Sequence, residues 1–147
     1  MMTTYVGLDA GVVSGVAVLE HGKMVPEFHE LGDHETIGLM ARLMQKGTPT
    51  VIFYEKFVIS QRTLKTTIQY QTLNINGWVH YEGARLKYIT TKGYTAAQSK
   101  AFSTDDKLKK MEWWHPSKDG HGNDAARVLL LGLSVLRNPW VLSELVA

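Results

Sequence analysis

The chain has no cysteine. That excludes disulfides, zinc–thiolate sites and thiol nucleophiles together, and it fits a reducing compartment, so a cytoplasmic location is expected. Long hydrophobic runs are missing too. The longest, Ala125 to Leu136, is interrupted by Arg127 and is too short to cross a bilayer, so it is expected to be a buried core helix. The opening Met1-Met2-Thr3-Thr4-Tyr5 has no basic stretch leading into an apolar one, and no signal peptide is expected. There is no internal repeat, low-complexity tract, linker, zinc finger, helix-turn-helix signature or RNA-recognition motif. Charge of one sign is scarce: 16 Lys and Arg face 14 Asp and Glu, and a net +2 by itself says little about nucleic acid. What remains is an ordinary globular balance, 44% hydrophobic and 20% charged over 147 residues, enough for one domain with a genuine core.

Periodicity gives the elements. Tyr5 to Asp9 alternates Val6 and Leu8 against Tyr5, Gly7 and Asp9, which predicts a strand. Gly11, Ser14 and Gly15 break it, Val16 to Leu19 resumes as a second strand, and Met24 to Glu30 follows the His21-Gly22-Lys23 turn as a third. Pro26 lacks an N–H and favours a sheet edge. Ile37, Met40, Ala41 and Met44 recur at helical spacing within Thr36 to Gln45, and Gly47-Thr48-Pro49 ends that helix. Thr50 to Tyr54 is a short apolar strand closing on Glu55. A long helix is expected from Leu64 to Tyr81; Gly77 inside it costs about 1 kcal/mol relative to Ala unless another backbone packs close. Leu86 to Thr90 is expected as a fifth strand. Ser103-Thr104-Asp105-Asp106 has the pattern of a capping box opening a short basic helix, Pro116 to Gly122 reads as a polar loop, and the last helix starts near Asn123. The expected fold is α/β: a mixed five-stranded sheet, a three-strand antiparallel meander plus two further parallel strands, with helices on both faces.

The chemistry-bearing residues fall at element ends. Asp9 ends the first strand and Glu55 the fourth, which this order makes neighbours, so the two carboxylates can face one cleft. Asp124 lies in the first turn of the last helix, and His121 shares its face if that helix begins by about residue 120; Asn123 is the competing N-cap. Clustered carboxylates repel unless a cation neutralises them, and hard oxygen donors with open positions select Mg²⁺ or Mn²⁺. Two such ions can activate water and stabilise the leaving oxygen of a phosphodiester. Each residue also has a plainer reading: Asp9 as a turn former, Glu55 as a solvated strand end, Asp124 as a complement to the helix dipole, His121 as a loop histidine.

Three patches carry a resemblance. Gly7-Leu8-Asp9 through Ser14-Gly15-Val16-Ala17, Val51-Ile52-Phe53-Tyr54-Glu55, and His121-Gly122-Asn123-Asp124-Ala125-Ala126 resemble the catalytic segments of RuvC-type Holliday-junction resolvases of the RNase H-like superfamily. The last is the His-x-x-Asp version of the family's helix start. The resemblance implies that Asp9, Glu55, His121 and Asp124 are catalytic ligands of two Mg²⁺ or Mn²⁺ ions. It also implies branched DNA, four-way junctions, as substrate and a two-fold homodimer as the working form. The chain's compactness is similar to that of a phage-type member, which implies a bacterial or phage-infected cytoplasm. At the place of the family's aromatic wedge this chain has Val58, with Phe57 one residue earlier.

Lys56, Phe57, Gln61, Arg62 and Lys65 follow the glutamate and suit a phosphate backbone and unstacked bases, or else form a solvated loop. Lys92 and Lys100 fall in a segment that resembles the family's basic stretch, and Lys118 belongs with Lys107, Lys109 and Lys110 in a group better read as a solvated face. If Asp9, Glu55 and Asp124 hold metal, 16 basic residues face 11 remaining acidic ones, an excess of roughly five that suits a phosphate-bearing partner. Trp78, Tyr70 and Tyr81 make the long helix a candidate dimer face, with core packing as the rival explanation. Two other functions fit parts of the pattern: a catalytically silent nucleic-acid-binding module of the same fold, and a sugar-kinase or actin-like fragment cradling phosphate at Asp9-Ala10-Gly11, which would need a second domain.

Overall fold

The computed structural model describes residues 2–58 and 70–146. Strands β1 (Thr4–Asp9), β2 (Ser14–Leu19) and β3 (Glu27–Leu31) form the antiparallel meander. Helix α1 (Asp33–Gln45) leads to β4 (Thr50–Glu55), which lies parallel to β1; α2 (Tyr70–Arg85) then leads to β5 (Ile89–Tyr94), parallel to β4. Four helices follow: α3 (Ala96–Phe102), α4 (Asp105–Lys110), α5 (His121–Val135) and α6 (Pro139–Val146). The sheet order is β3-β2-β1-β4-β5. The mixed sheet with helices on both faces is the architecture that the periodicity predicts.

Two cores flank the sheet. On one face Val6, Leu8, Val16, Val18, Ile52 and Tyr54 pack with α1 and with Ile75 and Val79 of α2. On the other, Ala17, Leu19 and Phe53 pack under α5, whose outer side is covered by Leu108, Trp113 and Val141. Covered on both sides, α5 is apolar almost all round, and β2 is buried at every position. Glycines let α5 sit this close: a Cβ on Gly7 would lie 2.2 Å from the Ala125 carbonyl oxygen, and one on Gly132 would meet the Phe53 ring at 2.2 Å.

Several boundaries depart from expectation, each for a tertiary reason. The third strand begins at Glu27 rather than Met24, because Pro26 cannot donate and the Met24 carbonyl instead accepts from the Trp113 indole at 2.9 Å. The strand does occupy the edge. Helix α1 starts a turn early, where Thr36 returns its hydroxyl to the Gly32 carbonyl at 2.7 Å. Within the long helix the expected Leu64 and Ile68 lie outside the described residues, and α2 continues past Tyr81 to Arg85. The fifth strand is Ile89–Tyr94, not Leu86–Thr90: Leu86 still belongs to the helix end, bonding to Glu82, and the strand itself is half polar because it is an edge. Helices α3 and α6 were not expected, although Thr95 and Gln98 form a complete capping box. Ser103 does not cap α4; Thr104 does, while the Ser103 hydroxyl bonds to the Arg127 carbonyl at 2.7 Å. Apart from its chain neighbours and its own helix backbone, no described residue comes within 4 Å of where a Cβ on Gly77 would lie.

Among the described residues no single helix is long and apolar enough to cross a membrane.

Candidate active site

Parallel pairing of β1 and β4, with Leu8 opposite Tyr54, places Asp9 and Glu55 at adjacent strand ends. Successive side chains alternate between faces. Since Leu8 and Tyr54 face α1 and α2, Asp9 and Glu55 leave on the side of Gly7 and Phe53, toward α5.

The start of α5 is set over these strand ends. Gly120 takes a left-handed φ of 73° as the N-cap, so the helix begins at His121 and not at Asn123. His121 and Asp124 therefore sit three apart on one helical face. Asn123, buried, uses its side-chain amide to bracket the His115 backbone, accepting from its N–H at 2.8 Å and donating to its carbonyl at 2.9 Å. Glu30 of the edge strand accepts from the Gly122 N–H at 3.2 Å and lies 3.8 Å from His115, whose ring stacks on Phe28. This seat for α5 escaped sequence reasoning; its only signal is an acid on an edge strand. Asp9 and His121 line one shallow cleft with Ala10, Gly11, Val12 and Val13. The turn beneath is pinned by Ser14, whose hydroxyl accepts from the Gly11 N–H at 3.1 Å.

The acids act on one another through their charge. Burial, then Glu55 and Asp124, push the Asp9 carboxyl up to about 8, with Lys100 of α3 opposing. Glu55 is also raised, by burial and then by Asp124, again against Lys100. Asp124 faces Arg127 at 3.5 Å, and Arg127 reaches Asp105 at 2.5 Å. Glu30 is lowered, chiefly by a hydrogen bond from Ser117 and partly by the nearby His115 and His121. Among the described residues, however, no three His, Asp or Glu side chains stand close enough to hold one ion together. The acids sense one another across the cleft without closing into a ligand set. Asp124 also faces Arg127 one turn along α5.

The basic residues divide. Lys100, exposed on α3, is near enough for its charge to oppose the rise of Asp9 and Glu55. Lys56 runs along Gly93 of β5 beside the end of β4, with its N–H on the Tyr94 carbonyl at 2.7 Å, and Phe57 is half-buried next to it. Lys92 is exposed on β5 and Lys118 in the loop before α5, with no contact to the acids among the described residues. Arg62 and Lys65 lie outside the described residues. Lys107, Lys109 and Lys110 serve the fold: they cover the Phe102 ring, cover the Trp114 ring and bond to the Leu145 carbonyl.

No family model matches the chain, and no curated protein matches it. Solved structures do. The chain is similar to Thermus thermophilus RuvC, with a TM-score of 0.59 at 15% identity over 92% of this chain and 96% of that one. It is similar also to T. thermophilus RuvC in complex with Holliday junction substrate, with a TM-score of 0.58 at 13% identity and the same coverage. At such identities the likeness speaks for architecture alone, and the chain has a RuvC-like fold of the RNase H type.

Proposed function

We propose that the protein is a divalent-metal-dependent endonuclease that hydrolyses phosphodiester bonds in branched DNA, four-way junctions foremost. One observation carries the reading. Three acids from three elements, Asp9 and Glu55 at the neighbouring ends of β1 and β4 and Asp124 in the first turn of α5, influence one another, and burial together with the charges of Glu55 and Asp124 pushes Asp9 up to about 8. Such a cluster is relieved by protons or by cations, and its all-oxygen donor set suits Mg²⁺ or Mn²⁺. The RuvC-like fold supports the same conclusion, since one of the two Thermus structures holds a Holliday junction substrate.

In this reading Asp9, Glu55 and Asp124 would hold two ions, with His121 as a nitrogen ligand or as the group that orients water. The ions supply a water nucleophile and charge stabilisation at phosphorus. Lys100 steadies the scissile phosphate, and Lys56, Phe57, Arg62, Lys65, Lys92 and Lys118 contact the flanking DNA. Two symmetric cuts need a two-fold dimer. Tyr70, Leu73, Gly77 and Tyr81 support one: they fall on a single stripe of α2 opposite its buried face, and Tyr70 and Tyr81 are 62% and 65% exposed. Trp78 does not belong to that stripe; it packs partly against the core. The phage-type assignment rests on compactness alone, and the Thermus chains are matched over 96% of their own length.

The test is incubation with labelled four-way and linear DNA in Mg²⁺ or Mn²⁺, with Asp9→Asn beside the unaltered chain. Cutting of the junction only, dependent on metal and lost in the variant, is expected. Mn²⁺ should serve at least as well as Mg²⁺, because imidazole suits softer ions; failure with Mn²⁺ removes His121 from the ligand set. Junction binding without cutting, indifferent to Asp9→Asn, would establish the catalytically silent module instead.

A further inference from the structure

We infer that Thr72 and Asn76 of α2 are positioning residues that fix the separation of Asp9 and Glu55, and with it the affinity of the site for divalent metal. The inference rests on the metal-site reading above. The Thr72 hydroxyl donates to the carbonyl of Ala10, the residue after Asp9, at 2.8 Å. The Asn76 side-chain amide donates to the carbonyl of Glu55 itself at 3.1 Å. The two residues stand four apart, on one helical face, and both are buried, at 6% and 8% exposure.

The geometry is that of a two-pronged clamp. Asp9 and Glu55 end neighbouring parallel strands just past the last β1–β4 pair, Leu8 with Tyr54, so each is held only on its outer side, Asp9 by Gly15 and Glu55 by Tyr94. A rigid helix that bonds both carbonyls replaces the missing rungs. The grip comes from the α2 side of the sheet, whereas the carboxylates leave on the α5 side, so clamp and ligand set do not compete for space. Ile75 and Val79, on the same helical side and fully buried against the sheet, hold the helix at its distance. A buried hydroxyl or amide must find a hydrogen-bond partner, but nothing requires that partner to be the carbonyl of an acid-bearing strand end. That both reach the main chain of the two acid-bearing strand ends is what marks them. Metal sites demand ligand placement to within about 0.5 Å, and outer partners that orient ligands typically change affinity by about 10–100-fold.

The test is Mn²⁺ binding to the DNA-free protein, followed by calorimetry and by the electron paramagnetic resonance of free Mn²⁺. It is run at a temperature where circular dichroism shows each variant folded. Thr72→Val and Asn76→Leu should each weaken Mn²⁺ by about tenfold, and Thr72→Ser, which keeps the hydroxyl, should restore it. A merely structural role would lower the melting temperature and leave the affinity of the folded protein unchanged, and that result overturns the clamp. If Thr72→Val does not fold, Thr72→Ala carries the same test without a methyl group to accommodate. Asp9→Asn separates the two claims. Mn²⁺ binding lost in Asp9→Asn but unchanged in the clamp variants sinks the clamp alone; no Mn²⁺ binding by the unaltered chain sinks the metal site and the clamp together.

Discussion

Gly15 of β2 lies beneath His121 of α5 so closely that a Cβ on Gly15 would come within 1.9 Å of the His121 carbonyl oxygen. The obstacle is backbone, which cannot turn aside as a side chain can, so any larger residue must lift the start of α5 off the sheet. Gly15→Ala is therefore expected to destabilise the fold by on the order of 3 kcal/mol, at the upper end of overpacking costs. It should also displace His121 and Asp124 from Asp9. Denaturant unfolding checks this, and a loss below about 0.5 kcal/mol, the range of neutral surface changes, contradicts the packing.

Acidity at Asp9 has a readable sign. Its carboxyl is held at about 8 in the folded chain, against about 3.9 when unfolded. A group raised on folding contributes stability below its unfolded value and loses it as pH climbs through the folded one. Metal-free protein should thus lose on the order of a few kcal/mol between about pH 4 and pH 8 relative to Asp9→Asn. The variant should be the more stable at the alkaline end, and the two should converge near the acidic end. Mn²⁺ at the alkaline end should raise the melting temperature of the unaltered chain and not that of the variant. A pH-independent difference between the two chains would count against burial of Asp9 among like charges.

Among the described lysines, Lys100 is the one whose charge acts on both Asp9 and Glu55. Lys100→Gln should weaken junction binding regardless of sequence and lower the slope of log affinity against log salt by about one. It should also deepen the alkaline loss of stability, because a cation opposing the two raised carboxyls is gone. An unchanged salt slope would show that Lys100 touches no phosphate.

The exposed stripe on α2 gives a test of assembly. Sedimentation of the unaltered chain should report a dimer, and Tyr81→Glu, which places a charge among Tyr70, Leu73 and Gly77, should report a monomer of unchanged melting temperature at dilution. A unaltered chain that sediments as a monomer at all concentrations removes the stripe from the argument.

Much of this was legible in the primary order. Alternation of Val6 and Leu8 placed Asp9 at a strand end, the apolar run through Tyr54 placed Glu55, and the all-round hydrophobicity after Asp124 marked a buried helix. Those signals are local: periodicity reports that a face is covered. It does not report what covers it. Tertiary structure alone decided that β5 runs to Tyr94, that the charge of Lys100 is felt at Asp9 and Glu55, that Glu30 and His115 seat α5, and that Thr72 and Asn76 grip the strand ends. Each of those outcomes depends on contacts between segments far apart in the chain, where hydrogen bonding, close packing and charge act through space and leave no period to read.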